Sequence, residues 1–442
     1  MLSANECKKL FNDPNYFSFE EYLTGKTEYQ EVGERLLLEQ KHAFLFYEPG
    51  KGKTYPTIAA LRTVMQTKGV EPKVLILSTV DAVEKMWNYE IVPQEILPKN
   101  VVIINFESAI QPKREMTLKS IKWDVIIVDE SHKIKSHNSQ ISKLVFQLTK
   151  KVEYAWGLTG TPRGNSDLDI FCQFHNMNVS KWGDVAYTRF ISTCCDVETG
   201  YGRGHQFQKV IGINERFRGG WERNVSMYTQ RVTYDDTDNM PLLNYHIEKL
   251  PYTKTEHYLK ALKGCIIIDD YETTLNKLSA IMKLHQVANG FMYYTPEDTF
   301  IRKTFVIEKN TKLKWIKEHI INKPTTIVYR YEADYDALSR EFPNSTENIT
   351  EFKQGKYPIL LLQCARCESF NLQMCTEMIF YTMDYSFIKF KQMMHRIWRK
   401  GQETNTNVTI LLFEDTVDVD IWDIVWSKKG LADLFMAIKK GN

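Results

Sequence analysis

Short, continuously apolar runs constrain the fold of this 442-residue chain most strongly, because they recur in two series with helix-like segments between them. Runs that are apolar throughout are typical of strands buried on both faces of a parallel sheet. The sequence therefore predicts an α/β fold with two parallel sheets. The first series is HAFLFY (42–47), KVLILS (73–78), NVVIINF (100–106), WDVIIVDE (123–130) and YAWGLTG (154–160). The second series is TTIVYRY (325–331), YPILLLQ (357–363), EMIFYTM (377–383) and NVTILLF (407–413).

The interval between the two series, about residues 163–320, has a different pattern. It contains a glycine- and aromatic-rich stretch at 199–221, then helix-like patterns in KTEHYLKALKG and TLNKLSAIMKLHQVANGFM. We interpret the interval as helical insertions and a connector rather than a third domain. We therefore divide the chain into an N-terminal lobe, 1–245, with an insertion at about 195–245, and a part comprising the helical connector and C-terminal lobe, 246–442.

Charge and cysteine content narrow the possible classes of protein. Lysine plus arginine (57) nearly balance aspartate plus glutamate (55), so a nucleic-acid surface has to be local. Eight scattered cysteines, no signal-peptide pattern and no run of membrane-spanning length predict a reduced protein that avoids membranes. We expect the cytoplasm of a microbe or of a virus-infected host cell, with a nuclear protein as the alternative. Cys364 and Cys367 have zinc-ligand spacing, but we favour core cysteines because no clear second pair accompanies them.

The stretch YEPGKGKT (47–54) lies between a predicted strand and a predicted helix. Gly50 and Gly52 allow a tight turn whose backbone N–H groups point into one concavity at the helix start, which favours a phosphate. Lys53 then reaches the β- and γ-phosphates of ATP, and the Thr54 hydroxyl ligates Mg²⁺. The full phosphate-loop pattern is not met, because Tyr47 replaces its first glycine. The alternative is a solvated, charged turn.

A second motif supports the nucleotide hypothesis. The predicted strand at 125–129 ends in Asp129 and Glu130, and the carboxyl end of a parallel strand is where α/β sheets bind ligands. Asp129 suits a Mg²⁺ contact, and Glu130 suits polarising the attacking water. The alternative is a solvated strand end. Together the two motifs predict an ATP-hydrolysing enzyme with ATP and Mg²⁺ as cofactors.

The ordered motifs resemble the superfamily 2 helicase-like ATPases, most closely the Swi/Snf branch of duplex-DNA translocases. The resemblance runs from about residue 25 to about residue 425 and implies two RecA-like parallel-sheet lobes with helical insertions between them. It implies that Gln30 reads the adenine and that the loop Gly50, Lys51, Gly52, Lys53 and Thr54 holds the phosphates. The matching segments are YQ (29–30), GKGKT (50–54), LILSTVDAVEKMWNYEI (75–91), INFES (104–108), DESHKIK (129–135), LTGTP (158–162), LPYTKTEHYLKAL (250–262), LSAIMKLHQVANG (278–290) and QMMHRIWRKGQ (392–402).

The last of these segments matches the family signature Q-x-x-x-R-x-x-R-x-G-Q through Gln392, Arg396 and Arg399. The resemblance implies that Gln392 serves the nucleotide. The two arginines lie three residues apart, on one helical face, and a guanidinium supplied from the opposite lobe stabilises charge on the γ-phosphoryl oxygens. We assign both arginines a catalytic role; the alternative is a cationic surface face.

This chain also departs from the family pattern. Ser369 replaces a glycine in the segment SFNLQ (369–373), whose Asn371 is retained. His395 and Trp398 replace an aspartate and a histidine of the usual signature. We favour a polar substitution that orients the neighbouring arginine over a pH-sensitive contact at His395.

Hydroxyl and basic residues follow several strands at the predicted ligand-binding edge. They can track phosphates without reading bases, although a helix cap or a solvated loop residue is the alternative for each. Trp87 and Trp398 are candidates for base stacking, with core packing favoured. The candidate nucleic-acid contacts are Ser78, Thr79, Ser108, Lys133, Lys135, Thr159, Thr161, Arg163 and Asn371.

These observations predict an ATP-dependent motor, a monomer, that translocates on double-stranded DNA without base specificity, with single-stranded DNA as a possible substrate. One alternative is a strand-separating or annealing helicase that acts on forks or recombination intermediates. No segment of the sequence can be identified as the wedge that strand separation needs. Another is a non-hydrolysing nucleic-acid-binding regulatory module, against which the intact Lys53, Glu130 and Arg396 argue.

Overall fold

The computed structural model describes residues 19–163, 167–202, 205–233, 241–268, 271–274, 277–295, 301–307, 311–320, 323–366, 372–398 and 402–427. They divide into two compact units, the first drawn from residues up to 235 and the second from residue 236 onwards. The predicted boundary at 245/246 falls within the strand Leu243–Leu250, which belongs to the second unit.

The first unit is built on a parallel sheet. In its described residues six strands pair in the order β3-β2-β4-β5-β1-β8, and β6 and β7 form a separate antiparallel hairpin. The strands are β1 (His42–Tyr47), β2 (Val74–Ser78), β3 (Val101–Asn105), β4 (Val125–Asp129), β5 (Tyr154–Leu158), β6 (Cys195–Gly202), β7 (His205–Ile213) and β8 (Thr229–Val232). The helices are Phe19–Gly25, Glu28–Gln40, Thr54–Lys68, a π-helix Ala82–Ile91, Val92–Gln94, Phe106–Ala109, Pro112–Ser120, Ser131–Ile134, Gln140–Thr149, Leu168–Asn176, Ser180–Asp184, Tyr187–Cys194 and Glu215–Tyr228.

Both faces of the first sheet are covered by hydrophobic cores. Alternate residues of β1 face opposite sides, so Phe44 and Phe46 join one cluster while Leu45 and Tyr47 join the other. The strands β2, β4 and β5 divide between the same two clusters. This two-sided burial explains why the strands are apolar throughout in the sequence, and it leaves the strand ends for polar residues.

The second unit repeats this architecture. Among its described residues a parallel sheet has the order β15-β16-β14-β17-β18-β9, beside two antiparallel hairpins, β10/β11 and β12/β13. Its strands are β9 (Leu243–Leu250), β10 (Cys265–Ile268), β11 (Tyr271–Thr274), β12 (Phe291–Tyr294), β13 (Lys303–Val306), β14 (Thr325–Tyr329), β15 (Ser345–Thr346), β16 (Ile359–Gln363), β17 (Glu377–Phe380) and β18 (Thr406–Phe413). Its helices are Glu256–Leu262, Lys277–Ala288, Thr311–His319, Glu332–Glu341, Ile349–Lys353, Cys364–Arg366, Phe387–Ile397 and Val417–Trp426.

The predicted fold class is confirmed, with two RecA-like parallel sheets and helices. In its described residues the interval 163–320 differs from the expected helical insertions, because it also contains three hairpins and the edge strands β8 and β9. Each edge strand pairs on one side only, so β8 and β9 have intermediate or exposed residues in place of a continuous apolar run.

Two further predictions concern a zinc site at Cys364 and Cys367 and helices that could span a membrane. Cys364 is buried, with its Sγ 3.7 Å from the carbonyl oxygen of Thr382, and Cys367 lies outside the described residues. The described residues contain no group of histidine, cysteine or acidic side chains arranged to hold a metal ion. None of the helices in the described ranges is long and apolar enough to cross a membrane.

Candidate nucleotide site

The loop between β1 and the helix Thr54–Lys68 has the backbone of a phosphate-binding turn. Gly50 and Gly52 adopt positive φ angles of 85° and 68°, a conformation that glycine adopts without steric cost. The loop is closed by a hydrogen bond of 3.1 Å from the N–H of Lys51 to the carbonyl of Glu48. Lys53 immediately precedes the helix, so backbone N–H groups and the positive end of the helix dipole lie beside its side chain. The predicted loop residues are therefore arranged to hold phosphates.

Gln30 lies directly against this loop. A Cβ atom added at Gly52 would meet the Nε2 of Gln30 at 2.9 Å, so the amide of Gln30 lies beside the second glycine of the loop. The Oε1 of Gln30 accepts hydrogen bonds from the N–H of Thr27 at 3.0 Å and from its hydroxyl at 3.2 Å. These contacts form a capping box at the start of the helix Glu28–Gln40, which holds the amide in place.

Asp129 ends β4 in a buried position, 3% exposed. Its Oδ2 accepts hydrogen bonds from the hydroxyl of Ser78 at 3.0 Å and from the indole Nε1 of Trp87 at 3.2 Å. Burial raises the pKa of this carboxyl above its usual range, while the charge of Lys53 and these two hydrogen bonds act in the opposite direction. A divalent cation would favour the ionised form further.

Glu130 follows in the left-handed conformation, with a φ of 56° and a ψ of 52°. This backbone is uncommon for a residue with a side chain and marks a strained turn at the end of the strand. The turn places the Glu130 carboxylate 3.5 Å from the Nζ of Lys53 and 3.2 Å from the Nδ1 of His132. The phosphate-loop lysine and the candidate water-activating carboxylate are therefore held together as a pair.

The segment LTGTP after β5 joins the same group through Thr159. Its hydroxyl lies 3.1 Å from the Nδ1 of His132 and donates to Oε2 of Glu130 at 3.3 Å. The Thr159 hydroxyl oxygen also accepts a hydrogen bond of 3.1 Å from the N–H of Thr161. Sequence analysis assigned no role to His132, although its position in the DESH segment was a signal for one. The residues form a chain of contacts from Lys53 through Glu130 and His132 to Thr159.

The predicted Mg²⁺ ligands offer hard oxygen donors, a hydroxyl from Thr54 and a carboxylate from Asp129, which is the chemistry Mg²⁺ prefers. Thr54 begins the helix after the phosphate loop, and its hydroxyl is 3.9 Å from the sulfur of Met86, a weak contact that an ion can displace. These residues fit the ion.

Four of the predicted nucleic-acid contacts are interior hydroxyls. Ser78 and Thr159 are fully buried and bonded to the nucleotide-site residues above. Thr79 is 4% exposed, and its hydroxyl accepts a hydrogen bond of 3.3 Å from the N–H of Ala82. Thr161 is 6% exposed, and its hydroxyl makes no hydrogen bond within the described part of the chain. The side chains of Ser78 and Thr159 therefore contact residues of the nucleotide site, and those of Thr79 and Thr161 are buried; their contact with a polymer stays a prediction.

The remaining predicted contacts in the first unit are more accessible. The N–H of Ser108 is capped by the Asn105 side chain at 2.7 Å, and the residue is half-buried. Lys133 is exposed after β4, and the Nζ of Lys135 lies 3.9 Å from the carboxylate of Asp169. Arg163 is exposed and paired with Asp167. Lys133 and Arg163 are therefore accessible to solvent, and a contact of these basic side chains with nucleic acid stays a prediction.

In the second unit, Gln392 and Arg396 lie on the helix Phe387–Ile397, and both are buried, at 3% and 9% exposed. Trp398 donates its indole N–H to the carbonyl of Pro241 at 2.7 Å, and its own carbonyl lies 3.3 Å from the Nδ1 of His395. These contacts attach Trp398 to the rest of the second unit, as the favoured packing interpretation expects. Arg399 and Asn371 lie outside the described residues.

Trp87 confirms the favoured core-packing interpretation and makes one contact that the sequence did not predict. It is fully buried, as core packing requires, but its indole also donates to Asp129. No local pattern marks that contact, because the two residues are 42 positions apart.

Comparisons with known proteins find similar ATPases and helicases. The model of the SNF2-related domain matches residues 93–199. The uncharacterized ATP-dependent helicase YqhH of Bacillus subtilis is 24% identical, with 87% of this chain and 74% of that protein covered. DNA repair protein RAD5 of Eremothecium gossypii is 24% identical over 78% of this chain, but this chain spans only 30% of its length.

Among solved structures, the Sulfolobus solfataricus SWI2/SNF2 ATPase core in complex with dsDNA covers 94% of this chain and 92% of its own, with 18% identity and a TM-score of 0.41. From the family model and the relatives, the chain is an ATP hydrolase. Its sequence is similar to the SNF2-related domain and to helicase-like ATPases of superfamily 2. The resemblance drawn from the motifs is confirmed, and a non-hydrolysing binding module is excluded.

Proposed function

We propose that this ATPase is a nucleic-acid motor that translocates along double-stranded DNA without base specificity. The observation that carries the proposal is the chain of contacts from Lys53 through Glu130 to Thr159. A change at the γ-phosphate that moves Lys53 or Glu130 disturbs the loop that contains Thr159. Hydrolysis is thereby coupled to a segment at the edge of the sheet, as a motor requires.

Exposed basic residues support a nucleic acid, with its phosphate backbone, as the substrate. Lys133 and Arg163 follow β4 and β5, the neighbouring strands that carry the nucleotide site, so they lie at the same edge of the sheet. Contacts of this kind address the backbone and carry no sequence information. RAD5, a relative of this chain, is described as a DNA repair protein, and we propose DNA as the substrate here also.

The same proposal assigns ATP and Mg²⁺ to the first unit. Gln30 contacts the adenine, the loop from Gly50 to Thr54 holds the phosphates, and Asp129 holds the ion, directly or through water. The ion neutralises charge on the β- and γ-phosphates when it is bound. Glu130 orients and polarises the attacking water.

Arg396 and Arg399 are proposed to stabilise the charge that spreads over the γ-phosphoryl oxygens during transfer. Their support is the match to the family signature, with Gln392 assigned to the nucleotide. Arg399→Ala is expected to bind ATP and DNA but to lose DNA-stimulated hydrolysis by about 10³-fold or more. Wild-type hydrolysis in this variant would remove Arg399 from the mechanism.

The test of function is the ATPase rate without polymer, then with duplex DNA, single-stranded DNA and RNA added in turn. We expect the largest stimulation by duplex DNA, and displacement of a third strand from a triplex only while ATP is hydrolysed. Lys53→Ala is the matched control for hydrolysis. Stimulation by RNA alone, or hydrolysis without displacement, would contradict the proposal.

One observation favours strand separation as a second candidate. The hairpin β6/β7, with strands of eight and nine residues, is inserted between β5 and β8 of the first sheet. An antiparallel hairpin is an element that can be placed between the two strands of a fork. Unwinding of a forked duplex that is lost when residues 197–210 are replaced by a short glycine–serine linker would establish this alternative.

A further inference from the structure

We infer that Gln230 and Tyr47 are positioning residues for the nucleotide: they hold the main chain of Tyr29, and with it the amide of Gln30, against the phosphate loop. The inference rests on the proposed contact of Gln30 with the adenine. The Gln230 cluster, defined as Tyr29, Tyr47 and Gln230, lies wholly within the first unit.

The Gln230 cluster joins three elements that are distant in sequence. The Tyr47 hydroxyl lies 2.5 Å from Oε1 of Gln230 and 3.0 Å from the carbonyl oxygen of Tyr29. The Nε2 of Gln230 donates to the same carbonyl at 2.9 Å. The Tyr29 hydroxyl in turn donates to the carbonyl of Lys51, in the phosphate loop, at 3.3 Å. A closed path of hydrogen bonds therefore runs from β8 to the loop.

The single proton of the Tyr47 hydroxyl determines which groups donate and which accept in these hydrogen bonds. A tyrosine hydroxyl has one proton to donate, and both of its neighbours here are acceptors. The shorter distance assigns that proton to Oε1 of Gln230, which leaves Nε2 of Gln230 to satisfy the Tyr29 carbonyl. The opposite orientation of the amide would place two acceptors, Oε1 and the Tyr29 carbonyl, against each other. Gln230 thus accepts a hydrogen bond from Tyr47 and donates one to Tyr29, and an apolar residue at this position could make neither.

The surroundings leave no room for an alternative arrangement. A Cβ atom added at Gly33, on the helix Glu28–Gln40, would meet the Tyr47 hydroxyl at 2.1 Å and Oε1 of Gln230 at 2.8 Å. Tyr47 itself is fully buried, and burial raises the pKa of its hydroxyl, so it stays a donor at all working pH values. Glycine at position 33 is therefore required by the cluster, and the cluster fixes the helix that begins just before Gln30.

The pairing of β8 with β1 determines the face of the sheet on which Gln230 lies. β8 pairs in parallel with β1, with Gln230 beside Leu45 and Val232 beside Tyr47. These residues share the face that is otherwise apolar. A second link follows at the end of the strand, where the N–H of Glu48 donates to the carbonyl of Val232 at 2.9 Å. β8 therefore contacts the start of the phosphate loop directly and is linked to Lys51 of that loop through Tyr29.

The test compares kcat and KM for ATP and for GTP, without polymer, in the wild-type chain and in Tyr47→Phe and Gln230→Leu. We expect KM for ATP to rise about two- to tenfold, the effect of one lost hydrogen bond, with kcat within about twofold of wild type. The preference for ATP over GTP, as a ratio of kcat/KM values, is expected to fall by a similar factor, because an amide that is no longer held at the base discriminates less.

Gln230→Glu separates the donor from the acceptor. Its carboxylate accepts from Tyr47 but cannot donate to the Tyr29 carbonyl, so it is expected to behave like Gln230→Leu. Gln66→Leu and Tyr154→Phe, in the same unit but outside the cluster, are the matched controls and should leave both ratios unchanged. Should Gln230→Leu fail to fold, Tyr47→Phe, which removes a single oxygen, decides the question.

A lower melting temperature with unchanged KM and unchanged ATP preference would show a merely structural role and overturn the inference. A fall in kcat alone would overturn it as well. Absence of ATP hydrolysis in the wild-type chain would instead refute the function on which the inference rests, so the two failures are distinguishable.

Discussion

Lys53 and Glu130 form an ion pair, with the Nζ of Lys53 3.5 Å from Oε1 of Glu130. Both side chains are mostly buried, at 17% and 14% exposed, so each lowers the cost of burying the other's charge. When a γ-phosphate takes Lys53 as its partner, the Glu130 carboxylate loses this ion pair and can accept a proton from water. The pair therefore connects phosphate binding with activation of the nucleophile.

Lys53→Ala is expected to lower ATP turnover by at least about 10²-fold, because it removes a cation that stabilises charge on the transferred phosphoryl group. It also removes the positive charge that opposes the rise of the Asp129 pKa caused by burial. Steady-state hydrolysis measures the loss, and circular dichroism checks the fold. Lys150→Ala, at an exposed position in the same unit, should hydrolyse ATP normally. Equal turnover in the two variants would exclude the phosphate-loop assignment.

Glu130→Gln is expected to bind ATP with nearly wild-type affinity and to lose turnover by about 10²- to 10⁴-fold, since only the proton-accepting group is altered. Equilibrium binding of a fluorescent ATP analogue and single-turnover hydrolysis separate the two effects. Loss of binding with the chemical step intact would assign Glu130 to the nucleotide contact instead.

Thr159→Val and Lys133→Ala are expected to affect different steps. The Thr159 hydroxyl is interior, so its removal should lower basal hydrolysis about five- to 100-fold, through unpaired groups on His132 and Glu130, and leave DNA affinity unchanged. Lys133 is exposed, and its removal should reduce the slope of log affinity against log salt by about one. Titration of a labelled duplex at several salt concentrations decides between the two positions. A changed salt slope in Thr159→Val would return that hydroxyl to the polymer surface.

Lys312→Met is expected to destabilise the second unit by about 3–5 kcal/mol, because it leaves a buried carboxylate without its cation. The Lys312 Nζ lies 2.6 Å from Oδ2 of Asp418 and also donates to Asn289 and to the Tyr381 carbonyl. Lys314→Met, on the same helix but 77% exposed, is the matched control. Urea unfolding with hydrogen exchange at the helices Thr311–His319 and Val417–Trp426 measures the effect, and equal stability of the two variants would contradict it.

Asp334→Asn is expected to alter how stability depends on pH. Burial raises the pKa of Asp334 to about 6, against hydrogen bonds from Thr382 and from backbone N–H groups. Between the ordinary value of 3.8 and about 6 the folded state therefore binds more protons than the unfolded state, and this carboxyl makes stability fall as pH rises. The unfolding free energy of the variant minus that of wild type should therefore increase with pH in that window, by up to about 1.4 kcal/mol per pH unit.

The comparison must be made as a difference from wild type, because His285 acts in the opposite direction. Burial lowers the pKa of His285 to about 3, so between about pH 3 and 6.5 the unfolded state binds more protons there and stability rises with pH. Urea unfolding at several pH values between 4 and 7 measures the difference between Asp334→Asn and wild type. A difference independent of pH would show that Asp334 ionises normally in the folded chain.

The sequence by itself determined the elements that depend on local chemistry. A run such as VIIVD is apolar because both of its faces are covered, and it ends in acids because the carboxyl edge of a parallel sheet is open to ligands. The two glycines of the phosphate loop are needed for backbone angles that they alone adopt readily. These requirements act on neighbours in the chain, so the strands, the phosphate loop and the order of motifs were predictable.

Only the tertiary structure decided which polar groups are paired inside the protein. Ser78 and Thr159 follow strands as surface contacts would, yet packing buries both beside Asp129 and Glu130. The edge strands β8 and β9 lack a continuous apolar run because each pairs on one side only, so no local pattern marks them. Tyr47 meets Gln230 across 183 positions, and Lys312 meets Asp418 across 106. Hydrogen bonding and burial act on distance in space, and folding alone sets that distance for residues so far apart in the chain.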